Sequence, residues 1–319
     1  MNTVLITSVG STTAISAAKA LRKAGGYHII GTDINLASEI PGTIFCDTVY
    51  QVPMFSDARY IERVIAICKR EQVKFLIPIV DQEVEMIAQN SDQFQQAGVT
   101  VIGSPHHVVA SCNDKYLTWK TLHDKGIETP RVYLPAETDL PEFPLFIKPR
   151  RGVSSRDCYV VSMREDLDFF LKRVDEPVIQ QYLEGKQLVI DIVNDSTGRN
   201  IAAVPRHEIM AKSGLGVKAV TVKDDEAVAY AVRIAEAIGI TGLCNIEVFR
   251  NGSNINLIEV NPRLSAGSIL STAAGVNIPD IAIKSFAGQT ADIAQYKEGI
   301  YVTRYWEEVY FDHEKLMEF

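Results

Sequence analysis

Residues 245–265 read Asn-Ile-Glu-Val-Phe-Arg-Asn-Gly-Ser-Asn-Ile-Asn-Leu-Ile-Glu-Val-Asn-Pro-Arg-Leu-Ser. Two apolar-rich runs flank Asn251-Gly252-Ser253-Asn254, residues that tolerate left-handed backbone, and this pattern predicts a β-hairpin. A three-residue loop at 252–254 sets Glu247 directly opposite Glu259, with Asn261 two residues further along the same face. Two carboxylates and a carboxamide are hard oxygen ligands suited to Mg²⁺, which completes its octahedron with water and nucleotide phosphates. Arg263, just beyond, can meet phosphoryl oxygens with a forked contact. Taken alone, the same residues also suit a solvated strand face, so the rest of the chain has to decide.

A chain of 319 residues is too long for one simple core and predicts two or three subdomains. Its 32 basic and 40 acidic residues, a net charge of -8, give no support to a nucleic-acid surface, and a phosphate ligand would need local cations. Five cysteines (Cys46, Cys68, Cys112, Cys158, Cys244) form no C-x-x-C pair, which argues against a disulfide framework and for a reducing compartment. The chain enters directly into Val4-Leu5-Ile6-Thr7, and no apolar run approaches the length of a membrane span. The expectation is a cytoplasmic protein with neither membrane nor nucleic-acid partner.

Residues 3–7 read as a buried parallel strand, followed by a loop, a helix through about Lys23 ended by Gly25-Gly26, and a second strand closing on Asp33. This order is that of a dinucleotide-binding unit, but Gly10 stands alone where G-x-G-x-x-G is needed, which weighs against a nicotinamide site. A helix at 57–71 and a strand at 74–80 come next. Asp81 and Glu83 then sit at the carboxyl end of that strand, where they face a ligand or serve as helix N-terminal acids. After a helix at 85–97 and a strand at 99–102, Gly103-Ser104-Pro105 marks a boundary. A helix at 113–125 with Asn113 as its cap opens the next unit.

Leu145-Phe146-Ile147-Lys148-Pro149 reads as a strand running into Arg150-Arg151-Gly152-Val153-Ser154-Ser155-Arg156, a small-residue loop whose amides and cations suit phosphates or an ordinary basic hairpin. Residues 178–185 are an apolar strand breaking into a linker, able to offer backbone groups to an adenine edge while Leu183 packs on the ring. Strands at 188–193 and 200–205 lead to Arg206 and His207 and a polar loop with Lys212, Gly214 and Lys218. A helix capped by Asp224 and stopped by Gly239 precedes the hairpin, and a covering helix at 275–287 and a strand at 300–306 follow it. His207 has no metal-like partner nearby in sequence, so zinc is not expected.

In this order and spacing the motifs resemble the ATP-grasp superfamily, particularly the branch of carbamoyl-phosphate synthase large chains, over nearly the whole length. Glu247 with Glu259-Val260-Asn261-Pro262-Arg263 carries the resemblance, supported by Asp114-Lys115, Phe146-Ile147-Lys148-Pro149 and Gln181-Tyr182-Leu183-Glu184-Gly185. The resemblance implies a mixed α/β and α+β chain. An N-terminal parallel-sheet domain (1–110) would precede a two-part ATP-grasp fold, with a central part at 111–180 and a C-terminal part at 181–319. It implies ATP phosphates at Lys115 and Lys148 and a covering loop including Gly152, Ser154, Ser155 and Arg156. Gln180, Gln181 and Leu183 would line the adenine, and Gln187 would stand where a ribose-binding Glu is usual. Mg²⁺, or Mn²⁺ in its place, would lie at Glu247, Glu259 and Asn261, and Arg263 would act on the transferring phosphoryl group. The loop is poorer in glycine than is usual for the branch, and Gln180 and Gln187 replace glutamates, so altered nucleotide affinity is expected.

The implied reaction is phosphorylation of a small-molecule carboxylate by ATP, followed by attack of an amine to form an amide. Arg206 is the candidate to pair with the substrate carboxylate, and Asp81 and Glu83 the candidates to read a cationic amine. Two alternatives stand beside it: phosphorylation of bicarbonate or carbamate, and a non-catalytic nucleotide-binding assembly subunit. A homodimer is the default assembly for such an enzyme.

Overall fold

The computed structural model describes residues 2–137, 139–152, 156–212, 215–291 and 293–311. Five parallel strands form the first sheet: β1 (Asn2–Ile6), β2 (Tyr27–Asp33), β3 (Thr48–Gln51), β4 (Phe75–Ile77) and β5 (Thr100–Val101), in the order β3-β2-β1-β4-β5. Val4, Leu5 and Ile6 are fully buried, as a parallel strand covered on both faces requires. The first helix, Thr12–Ala24, begins where the Ser11 hydroxyl accepts from the Ala14 amide and ends at Gly25, whose φ of 74° no β-branched residue would adopt readily.

Three antiparallel strands, β6 (Leu145–Pro149), β7 (Tyr159–Val161) and β8 (Pro177–Gln181), make a small sheet ordered β7-β6-β8. The third sheet is antiparallel and six-stranded, β13-β12-β9-β10-β11-β14. Its strands are β9 (Lys186–Asn194), β10 (Asn200–Lys212), β11 (Leu215–Thr221), β12 (Gly242–Asn251), β13 (Asn254–Asn261) and β14 (Tyr301–Thr303). The helix Asp225–Ile238 packs Ala227, Ala231 and Ile234 on one face of that sheet against Ile190, Ile192 and Ile246. That burial fixes which face of β12 and β13 is left for chemistry, because successive strand side chains alternate between faces.

Several local expectations are corrected. The helix expected at 85–97 is two helices, Asp81–Gln89 and Ser91–Gln96, broken at Asn90. Asp114 rather than Asn113 caps the helix Lys115–Asp124, accepting from the Leu117 amide at 3.0 Å. The last strand is three residues long, Tyr301–Thr303, shorter than the 300–306 expected.

Candidate active site

The hairpin pairs Glu247 with Glu259 and Asn245 with Asn261, so the expected register holds. The route to it differs. Asn251 pairs with Asn254 across a two-residue turn, and a bulge leaves Ile258 without an opposite residue, restoring the register that a three-residue loop would have set. Glu247 accepts from Gln187 Nε2 at 3.0 Å, and Asn261 Nδ2 lies 3.4 Å from its other oxygen. Glu259 meets Lys115 Nζ at 3.2 Å.

The charges here are unfavourable for an unliganded protein. Burial, then repulsion from Glu259, pushes the Glu247 carboxyl up to about 7. Burial likewise pulls the Lys148 ammonium down to about 8; attraction to Glu259 works against that shift, and repulsion from Lys115 adds to it. A cation beside Glu247 and an anion beside Lys148 would reverse both effects. Among the described residues no three His, Cys, Asp or Glu side chains are grouped to hold a metal by themselves. Glu247, Glu259 and Asn261 offer two carboxylates and a carboxamide on neighbouring strands, a hard-oxygen set that fits Mg²⁺ taking its remaining oxygens from nucleotide and water.

Two cavities meet at these residues. One, of about 260 Å³, has apolar walls from Phe146, Leu183, Phe249 and Leu257 and includes Lys148, Gln180, Gln181 and Arg156. The other, of about 890 Å³, is polar and takes in the start of the first helix, Asp81, Arg206, Glu208, Arg263 and the turn at Ser265. Lys115, Gly152, Gln187, Glu247 and Glu259 line both. Gln180 spends its amide on the Pro130 carbonyl at 3.3 Å. Ser154, Ser155 and Gly214 lie outside the described residues.

Both arginines are already engaged. Arg263 forks onto Asp81 at 2.7 and 3.2 Å, a contact bridging 182 residues that ties the hairpin to the first sheet. Arg206 is buried and bonds Asp191 at 2.7 Å, Glu208 at 2.8 Å and Ser265 at 3.1 Å. Asp81 lines the large cavity, but Glu83 does not. Glu83 is buried, accepting from Thr7 (2.7 Å), Ser8 (2.6 Å) and Tyr60 (2.8 Å), so the helix-terminal acid is an interior strut, not an amine reader. Asp33 accepts from the Gly10 amide of the loop after β1 at 2.8 Å and from Asn35 at 3.0 Å.

Asp191 and Glu208 are the residues that sequence reasoning passed over. Glu208 stands two positions after Arg206 on the same strand, and that period of two could have flagged it. Asp191 sits mid-strand in an apolar run, where a lone buried acid demands a cation.

Residues 173–308 match the family model described as ATP-grasp in the biosynthetic pathway with Ter operon, and residues 4–102 match the PylC-like N-terminal domain. Residues 173–308 thus resemble an ATP-grasp domain, and the region in front of them resembles a PylC-like N-terminal domain. Among curated relatives it is 27% identical over 312 residues to the carbamoyl phosphate synthase large chain of Thermomicrobium roseum, covering 90% of this chain and 28% of that protein. It spans little more than a quarter of the length of the curated relatives it matches.

Among the solved structures that share the fold are a biotin carboxylase domain and an amino acid ligase. The biotin carboxylase domain of Hydrogenobacter thermophilus 2-oxoglutarate carboxylase, determined with MgADP and bicarbonate, has a TM-score of 0.75 at 14% identity, over 94% of this chain and 73% of that one. The L-amino acid ligase of Bacillus licheniformis has a TM-score of 0.71 at 15% identity, over 91% of this chain and 76% of that one.

Proposed function

We propose that the chain is an ATP-dependent carboxylate-amine ligase that activates a small carboxylate as an acyl phosphate and transfers the acyl group to an amine, releasing ADP and phosphate. The observation that carries this reading is the shared wall: Glu247, Glu259 and Lys115 stand between a small, partly apolar cavity and a large polar one. In this reading the small cavity takes the nucleotide, with its base among Phe146, Leu183 and Phe249, and its phosphates toward Lys115 and Lys148. Mg²⁺, or Mn²⁺ in its place, would be held by Glu247, Glu259 and Asn261 and would supply charge neutralisation on the phosphates.

A carboxylate resists nucleophiles because of its charge. Bonding one of its oxygens to the γ-phosphorus, as the bond to ADP breaks, makes that oxygen a leaving group. The amine then forms the C–N bond, phosphate departs, and the amine's proton is lost. Arg263, oriented by Asp81, is the group assigned to the transferring phosphoryl, and Arg206 to the substrate side. Domain limits at 110 and 180 fit this division of labour, one part for the substrate and two for the nucleotide. Five free cysteines favour a cytoplasmic setting, and a homodimer is the proposed assembly.

The similarity to a carbamoyl phosphate synthase chain favours bicarbonate as a second reading of the acceptor. The volume weighs against it: about 890 Å³ is room for a substrate of many atoms, not four. The test is ADP release with Mg²⁺ and ATP across amino acids, sugar acids and bicarbonate, with hydroxylamine to trap acyl phosphate. Hydroxamate that depends on one carboxylate and disappears in Glu259→Gln supports the ligase. Turnover with bicarbonate alone moves the reading to the second acceptor, and no turnover with any member defeats both.

A further inference from the structure

We infer that Glu208 is the receptor for a primary ammonium group of the substrate, an inference that rests on the ligase reading and adds a specificity-determining residue to it. One carboxylate oxygen of Glu208, Oε1, accepts from Arg206 Nε at 2.8 Å. The other, Oε2, is buried and has no hydrogen-bond partner among the described residues, although the side chain is only 9% exposed. Leaving a buried carboxylate oxygen unpaired costs more than a typical hydrogen bond gains, so it is the kind of group a ligand completes.

The surroundings specify the ligand. Arg206 serves two carboxylates at once, Asp191 and Glu208. Asp191 is fully used, taking hydrogen bonds from Arg206, Ser265 and Ser271. Arg304, the other nearby cation, donates to the carbonyls of Gly216 and Ala266. What remains open is an acceptor with negative charge on the wall of the large cavity, which suits a donor carrying positive charge.

The space for it is built into the backbone. A Cβ on Gly216 would stand 2.0 Å from Glu208 Oε2, and one on Gly267 would stand 2.4 Å from the Arg206 guanidinium. Both glycines line the same cavity. Only a residue without a side chain at 216 lets the carboxylate lie along that wall, where its unpaired oxygen is buried against the glycine.

An ammonium group there has two sources: the α-amino group of an amino acid whose carboxylate is activated, or the acceptor amine. The experiment measures KM in two assays, hydroxamate formation without acceptor amine and the complete reaction. It compares wild type with Glu208→Gln and Gly216→Ala, and pairs α-amino acids with their des-amino counterparts. Removing the charge of the acceptor is expected to raise KM for the ammonium-bearing substrate roughly tenfold to a hundredfold, with a much smaller change in kcat.

If the rise appears in hydroxamate formation, the ammonium belongs to the activated amino acid; if only in the complete reaction, to the acceptor. Thermal-shift titration of wild type with the same pairs in Mg·ADP keeps the test independent of variant folding. Amino acids are expected to bind and des-amino acids to bind at least tenfold more weakly. Equal binding of the pairs, binding of neither, or unchanged KM in a folded Glu208→Gln overturns the inference. The ligase reading survives those results if wild-type hydroxamate still forms, and falls only if it does not.

Discussion

Nucleotide binding should draw a proton onto Lys148. Its ammonium, buried beside Lys115, titrates at about 8 instead of its ordinary 10.5, burial being the main cause. That difference corresponds to a penalty of about 3 kcal/mol for holding the charge in the unliganded site. Between these two values the folded protein holds fewer protons than the unfolded chain. Lys148 therefore makes the unliganded fold gain stability as pH rises through the window, and below about 8 the penalty is present in full.

Phosphates placed against the ammonium remove the reason for the shift and return the group to its charged form. From Lys148, uptake of roughly half a proton per nucleotide is expected at pH 8 and nearly a whole proton at pH 9, well above the range in which Glu247 titrates. Calorimetric titration with ADP in Mg²⁺-free buffers of differing ionisation enthalpy measures this number directly. The slope should vanish in Lys148→Met. Uptake that is absent at pH 9, or unchanged in the variant, would refute the assignment of Lys148 to the phosphates.

Mg²⁺ affinity of the ADP complex should fall about tenfold per pH unit below 7, because the proton that burial holds on Glu247 must leave for a metal to bind; titration at pH 5.5, 6.5 and 7.5 checks it. Asp81→Asn should lower kcat about tenfold with little change in nucleotide affinity, since it loosens the fork that orients Arg263; steady-state kinetics beside nucleotide binding separates the two. Ile190→Ala, beneath the helix Asp225–Ile238 and with no exposed surface, should cost about 2–5 kcal/mol in urea unfolding.

Alternation and turn chemistry carried most of the fold into view. The buried run Val4-Leu5-Ile6 and the glycine stop at Gly25 are local signals, and each is where the pattern sets it. Lys115 and Glu259 were singled out separately through the resemblance, and they meet at 3.2 Å. What stayed hidden is long-range pairing. Nothing near Asp81 announces that Arg263 will reach it, and nothing near Glu83 announces three hydroxyls from Thr7, Ser8 and Tyr60. Such partners are chosen by how sheets and loops close on one another, which no local period encodes. Arg206 was legible as a cavity residue, but its neutralisation by Asp191 depends on β9 and β10 lying side by side.

The bulge at Ile258 makes the position of Glu259 a matter of counting. Continue the pairing set by Asn251 and Asn254 without it, and Glu259 falls opposite Ile246, whose side chain points into the interior. The carboxylate would change sides of the sheet although no residue identity had changed. Removing Ile258 should therefore keep the site, because Glu259 then follows Leu257 directly and still falls opposite Glu247 in an unbulged ladder, whereas flattening the bulge with Ile258 retained should silence it. The bulge absorbs one residue of length on one strand, so the hairpin keeps its chemistry by counting and not by contact.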